Sequence, residues 1–178
     1  TYANVPVTNG VWVQEHSVAL AQNNYIVTAT VVDLAGNPRS SVQTNNLTVD
    51  TQAPFATIGI ARTITTDSGT PGDFKTSDTT ITLAGTISVA LGGGEKVQVS
   101  ANGGTNWTDA IVSGTNWSFA APRVSADGVV TYRVRVVDTA GNANTITQAV
   151  TFDTVADGGP AASLTVADDN VSAAERSS

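Results

Sequence analysis

The chain of 178 residues has no cysteine, no methionine and one histidine, His16. Without cysteine no disulfide can staple a small domain, and no thiolate is available for nucleophilic or zinc chemistry, so rigidity needs another source. A Ser-His-Asp relay would have to run through His16, and no nucleophile turn accompanies it. Positive charge is scarce: 8 Lys and Arg stand against 15 Asp and Glu, for a formal net charge of -7. That balance argues against nucleic acid or an anionic membrane surface as the partner. No apolar run is long enough to insert into a membrane, and no segment sustains the apolar period of a helix.

What is present is a repeat. Val31-Val32-Asp33-Leu34-Ala35-Gly36-Asn37 returns as Val136-Val137-Asp138-Thr139-Ala140-Gly141-Asn142, and the two copies lead to closing segments Val49-Asp50-Thr51 and Phe152-Asp153-Thr154. Trp12 and Trp117 stand 105 residues apart, as do Asp33 and Asp138, while Asp50 and Asp153 stand 103 apart, so the register breaks at one short indel. A period of that length is a domain, not a solenoid turn. On this frame residues 1–51 are the C-terminal half of a module, 52–154 a complete module, and 155–178 a linker and the start of a third. Thr1-Tyr2-Ala3-Asn4 aligns with mid-module sequence near Asn106 to Asp109. The chain is therefore expected to be a cut-out of an array whose incomplete ends fray or pair in trans.

Short alternating runs separated by turn residues place seven strands in the complete module, near 55–65, 79–88, 95–101, 105–112, 115–120, 129–138 and 143–153. Tyr132, Val134 and Val136 fall on one face of their strand and Arg133 and Arg135 on the other, the pattern of a strand with one buried and one wet side. The half module supplies strands near 10–20, 24–33 and 38–49. The fold class that follows is all-β, built of tandem antiparallel β-sandwich modules of about 100 residues each.

The Asp-x-Ala-Gly-Asn turn, paired with the closing Val49-Asp50-Thr51-Gln52-Ala53-Pro54, resembles bacterial Ig-like repeats of giant secreted calcium-binding adhesins of the biofilm and RTX type. The segment from Thr66-Asp67-Ser68-Gly69 through Gly72-Asp73-Phe74-Lys75-Thr76-Ser77-Asp78 is similar to the acidic loop that opens many such repeats. Asp168-Asp169-Asn170-Val171-Ser172-Ala173-Ala174-Glu175 looks like a sister motif. The resemblance implies Ig-like modules at a bacterial cell surface or in a secreted protein, binding calcium and separating an anchor from a ligand-binding tip. Tyr25 stands where Ig-like folds often carry a corner tyrosine, although Val130 is in register in the second copy. Phe152-Asp153-Thr154-Val155-Ala156-Asp157 departs from the pattern, because it lacks the closing proline.

The acids gather in turns and at module boundaries, all but Glu15, Glu95 and Asp109. Gly69, Pro71 and Gly72 allow tight turns that could bring Asp67, Asp73 and Asp78 together, where like charges repel unless a cation binds. Hard oxygen ligands in flexible geometry suit calcium; a solvated acidic loop that keeps sheet edges apart is the alternative. Topology brings Asp50 towards Asp138, so calcium between them, with Asn142 or linker carbonyls, would clamp the first junction. At the other pole Asp153 and Asp157 would join Asp67, Asp73, Asp78 and Asp127. Asp168, Asp169, Asn170 and Glu175 form a third candidate group. For Asp33 and Asp138 a hairpin role, accepting backbone hydrogen bonds, is favoured over ligation.

Ser100-Ala101-Asn102-Gly103-Gly104-Thr105-Asn106-Trp107 comes close to a sialidase Asp-box, but without a propeller period it reads as a hairpin with Trp107 packed over the turn. Three functions remain open. The chain is a calcium-rigidified extender of an adhesin, a glycan- or protein-binding module using Trp107 or Trp117, or an accessory domain of a secreted hydrolase. Catalysis by the chain itself is not expected, since its acids lie in loops and not across a groove.

Overall fold

The computed structural model describes residues 1–42 and 47–155, and among these the regular elements are all strands. The second module is a two-layer sandwich. One sheet has five strands in the order β11 (Thr108–Asp109), β10 (Lys96–Ser100), β14 (Gly128–Val137), β15 (Ala143–Phe152), β8 (Lys75–Thr76). The other has four, β12 (Ile111–Ser113), β13 (Asn116–Ala120), β9 (Thr82–Ile87) and β7 (Ile58–Ile60).

Strand alternation builds the layer between the sheets. Tyr132, Val134 and Val136 on β14 are 1%, 0% and 0% exposed, and they meet Leu83, Ile87 and Trp117 from the facing sheet in one continuous cluster. Each such side chain contributes about 1.5–3 kcal/mol relative to leaving it in water. The opposite face of β14 is wet but ordered. Arg135 donates from Nε and Nη2 to Gln98 Oε1 at 3.0 and 2.7 Å, its guanidinium lies 3.9 Å from the Trp107 ring centroid, and Arg133 donates to the Gly103 carbonyl at 2.9 Å.

One glycine is dictated by packing. A Cβ on Gly85 would stand 2.0 Å from the Gly59 carbonyl oxygen and 2.8 Å from Trp117 Cε2. Its absence lets the indole lie across β9 and donate from Nε1 to the Gly59 carbonyl at 3.0 Å, which satisfies the one polar atom of a 2% exposed tryptophan.

Three details of the second module differ from the sequence reading, the first being that the strand expected over 55–65 is confined to β7, Ile58–Ile60. The strand expected at 105–112 is split: β11 pairs with β10 in one sheet and β12 with β13 in the other, with the crossing at Ala110, whose N–H donates to Val97 O at 2.9 Å. The expected acidic loop also contributes an edge strand, β8, parallel to β15 with Thr151 opposite Lys75 and Phe152 opposite Thr76. Two residues are too few to show a period, and only the sheet edge that receives them reveals the strand.

The described residues of the first module form paired ribbons only: β1 (Val7–Thr8) with β2 (Val11–Trp12), β3 (Asn23–Tyr25) with β6 (Leu47–Val49), and β4 (Thr28–Val32) with β5 (Pro38–Val42). The strand expected over 10–20 is confined to Val11–Trp12. Tyr25 donates its hydroxyl to the Ala21 carbonyl at 2.8 Å, the tie of a corner tyrosine. His16 is exposed and meets the Tyr2 hydroxyl through Nδ1, with the two rings edge to face.

Candidate functional site: acidic turns and a module junction

The acidic loop is shaped by three left-handed residues, Gly69, Gly72 and Phe74, with φ of 86°, 90° and 57°. Each carboxylate in it is turned onto its own stretch of backbone. Asp67 Oδ2 accepts from Gly72 N, and Asp73 Oδ1 accepts from Lys75 N at 2.9 Å. Asp78 Oδ1 accepts from Thr80 N and Oγ1 at 2.8 and 2.9 Å, and its Oδ2 accepts from Thr66 Oγ1 at 3.0 Å. The Thr80 backbone and hydroxyl hydrogen bonds, with that of Thr66, hold the Asp78 carboxyl below the usual range.

The expected convergence of Asp67, Asp73 and Asp78 does not occur. Among the described residues no group of three His, Cys, Asp or Glu side chains is close enough to hold an ion. The reason is local: an aspartate in a turn finds an amide of its own loop, here two to five residues on, before it finds another carboxylate. Asp67 Oδ1 is the exception, a buried carboxylate oxygen with no partner.

At the first junction the topology does bring the two segments together, through different atoms from those expected. The Asp138 turn is a closed hairpin, with Asp138 N donating to Asn142 O at 3.1 Å and Asn142 N donating back to Asp138 Oδ1 at 2.9 Å. The Asn142 side-chain amide donates to Asp138 Oδ2 at 3.0 Å and to the main-chain carbonyl of Asp50 at 3.1 Å. Asp50 therefore meets this turn with its carbonyl, and its carboxylate caps Gln52 N at 3.0 Å. Asn142 stands between Asp138 and Asp50, a direct contact where a bridging cation was expected. The Asn142 side-chain hydrogen bond, with backbone donors from the same turn, lowers the Asp138 pKa.

The linker beyond Asp50 has a second anchor. Asn144 Nδ2 donates to Pro54 O at 2.7 Å and to Ala56 O at 3.0 Å. Sequence reasoning missed Asn144, and the repeat could not have signalled it, because Arg39 stands at the equivalent place. The Asp33 turn is built like its twin: Asp33 Oδ1 accepts from Ala35 N and Asn37 N, and Asn37 Nδ2 donates to Asp33 Oδ2 at 2.9 Å.

At the far pole Asp153 N donates to Thr76 O at 2.9 Å, which sets Asp153 beside the strand that links Asp73 to Asp78. Thr154 donates to Asp127 Oδ1 from N at 3.0 Å and from Oγ1 at 2.6 Å, and these bonds lower the Asp127 pKa. Asp157, Asp168, Asp169, Asn170 and Glu175 lie outside the described residues.

The Ser100 to Trp107 segment is a hairpin turn. Ser100 Oγ accepts from Gly104 N at 2.9 Å, and Asn102 Oδ1 accepts from Asn106 N at 2.9 Å. Trp107 is half-buried against Arg135 and Trp117 is in the core, so neither indole is a bare stacking platform for a sugar.

A family model described as bacterial Ig-like domain matches residues 55–154, the span from just before β7 to just after β15. No curated protein matches the chain.

Proposed function

The chain belongs to the bacterial Ig-like domain family, and we propose that it serves as a calcium-rigidified extender module of a bacterial surface or secreted adhesin, supporting cell adhesion or biofilm formation. Domains of this family are generally non-catalytic structural domains, and Asp33, Asp67, Asp73, Asp78 and Asp138 are committed to hydrogen bonds of their own turns. The observation that carries the reading is the junction. Asn142 and Asn144 grip the segment leaving the first module at Asp50, Pro54 and Ala56, so the second module fixes the path of the chain that precedes it. Neighbouring modules of the same array are its principal partners, in an extracellular setting.

Calcium fits the acidic loop in part. Asp67 Oδ1 is a hard oxygen, buried and unpartnered, of the kind calcium takes. Asp73 and Asp78 are turned onto donors of their own loop, so an ion would have to draw them away. The Asp50 and Asp138 pair is a poorer place, because Asn142 already occupies the space between them. When bound, the ion would be held through Asp67, with Asp73 and Asp78 released from their present partners, and would offset the negative charge of the loop.

Small-angle scattering and thermal melting of the full chain, each in EDTA and in millimolar calcium, test the proposal. An extended particle whose melting temperature rises with calcium supports it. Identical curves in both conditions remove calcium, and a compact particle in both removes the extender.

A further inference from the structure

The junction contact is one use of a device that each module carries at both ends. Its receiving half is the Asp-x-Ala-Gly-Asn turn, in which the aspartate takes one N–H of the asparagine side chain: Asp138 from Asn142 at 3.0 Å, Asp33 from Asn37 at 2.9 Å. An amide has two N–H donors. In the second module the asparagine amide also holds the main-chain carbonyl of Asp50, so the aspartate orients the asparagine and the asparagine holds the incoming chain.

The entering half is the closing Asp-Thr, and it too is built twice. The threonine is tied to its own module by a residue in register: Thr51 Oγ1 donates to Gln22 Oε1 at 3.4 Å, and Thr154 Oγ1 donates to Asp127 Oδ1 at 2.6 Å. Gln22 and Asp127 stand 105 residues apart, the spacing of the repeat itself. The second copy is the firmer of the two, with Thr154 N also bound to Asp127 and Asp153 N bound to Thr76 O. Of the two closing aspartates, Asp50 has its carbonyl seated on a turn.

We infer that Phe152-Asp153-Thr154 is the entering half of a second joint of the same kind, in which the Asp153 carbonyl is held by the side-chain amide of the asparagine in a following Asp-x-Ala-Gly-Asn turn. The partner is another copy of this module, docked head to tail. The Asn37 turn is the matching receiver for the closing aspartate of a module that precedes it. The joint is made of neutral hydrogen bonds between an amide and a carbonyl, with the carboxylate one step behind the contact, so it closes without a metal ion. This inference rests on the extender reading and specifies how its modules are coupled.

The test is the full chain carrying a second copy of residues 52–154 inserted directly after Thr154, so that Asp153-Thr154 runs into Gln52-Ala53-Pro54 as Asp50-Thr51 does. In EDTA, NMR should show one side-chain amide proton of the inserted Asn142 protected and coupled through its hydrogen bond to the Asp153 carbonyl carbon. Relaxation should show the two complete modules tumbling as one body. Asn142→Ala or Asn142→Asp in the inserted copy should remove the coupling and release the modules, with the core methyl spectrum of each retained. Thr154→Val, outside the receiving turn, should loosen the joint in the same direction.

Independent tumbling of the modules in EDTA, or tumbling unchanged by both Asn142 variants, would overturn the joint. If coupling requires calcium, the metal-free joint is wrong while the extender reading stands. If scattering shows a collapsed particle with and without calcium, the extender reading fails with it.

Discussion

Trp117 and Trp12 hold the same place in the repeat, yet Trp117 is 2% exposed and Trp12 46%. The contrast extends along the strands: Val136 is 0% exposed and its counterpart Val31 70%, Val137 is 7% and Val32 58%. The tryptophan and the paired valines match, and so do the hairpins and the turns; what differs is the facing sheet. In the second module β9, β7 and β10 enclose the strands, and in the first the described residues form paired ribbons only. A two-stranded ribbon is marginal in water because it has one layer and nothing to bury against. The turn chemistry is indifferent to this, since Asp33 and Asp138 make the same bonds in both settings. Local hydrogen bonding therefore survives without a core, while burial requires the whole sandwich.

The largest expected break in this comparison comes from the tryptophans. Trp117→Ala should cost the second module about 3–5 kcal/mol by loss of burial and an unfilled cavity. Trp12→Ala should cost under about 1 kcal/mol, as surface substitutions do; chemical denaturation followed by module-specific NMR signals separates the two. Equal losses would mean that Trp12 is buried in solution.

Gly85→Ala comes next. Its methyl would overlap the Gly59 carbonyl oxygen, so a loss at or above the usual 1–3 kcal/mol of overpacking is expected, with the Trp117 indole signal displaced. A third change acts on the linker: Asn144→Ala removes two hydrogen bonds to Pro54 and Ala56, each worth about 0.5–1.5 kcal/mol. Amide exchange at residues 50–56 should quicken while β14 and β15 keep their protection. Tyr25→Phe should cost the first module about 0.5–1.5 kcal/mol through the lost bond to Ala21 and leave the second untouched, since Val130 holds that position there.

The smallest expected effect is on pH. Asp33 and Asp138 both titrate below the ordinary aspartate value, chiefly because an asparagine side chain donates to each carboxylate. A carboxyl whose folded pKa is depressed adds stability above its unfolded pKa, near 3.9, and loses it as pH falls through the folded value. Both turns should therefore loosen below about pH 4, and to a similar degree despite their different surroundings. Asparagine side-chain shifts of residues 37 and 142, followed through an acid titration, provide the measurement. A turn at 142 that outlasts the turn at 37 would show that the Asp50 contact adds to it.

Much of the architecture was legible from local pattern. The alternation of Tyr132, Val134 and Val136 against Arg133 and Arg135 specified a half-buried strand, and the Asp-x-Ala-Gly-Asn spacing specified a hairpin, because both signals act over a few residues. The candidate site was legible only in part. Aspartates at 67, 73 and 78 announced an acidic loop, but each was drawn to amides and hydroxyls of its own segment, a competition that composition does not display. The edge strand at Lys75–Thr76 was hidden because two residues carry no period.

By itself the sequence determined the period of the repeat, most of its longer strands and the turn that punctuates them, since these depend on steric preference and on hydrogen bonds between near neighbours. Tertiary structure decided which tryptophan is buried, that Gly85 makes room for it, and that Asn142 meets the carbonyl of Asp50, a residue 92 positions away. Those outcomes depend on the order in which strands pair and on where two sheets close. Contacts of that range are set when the layers meet, and no local pattern encodes them.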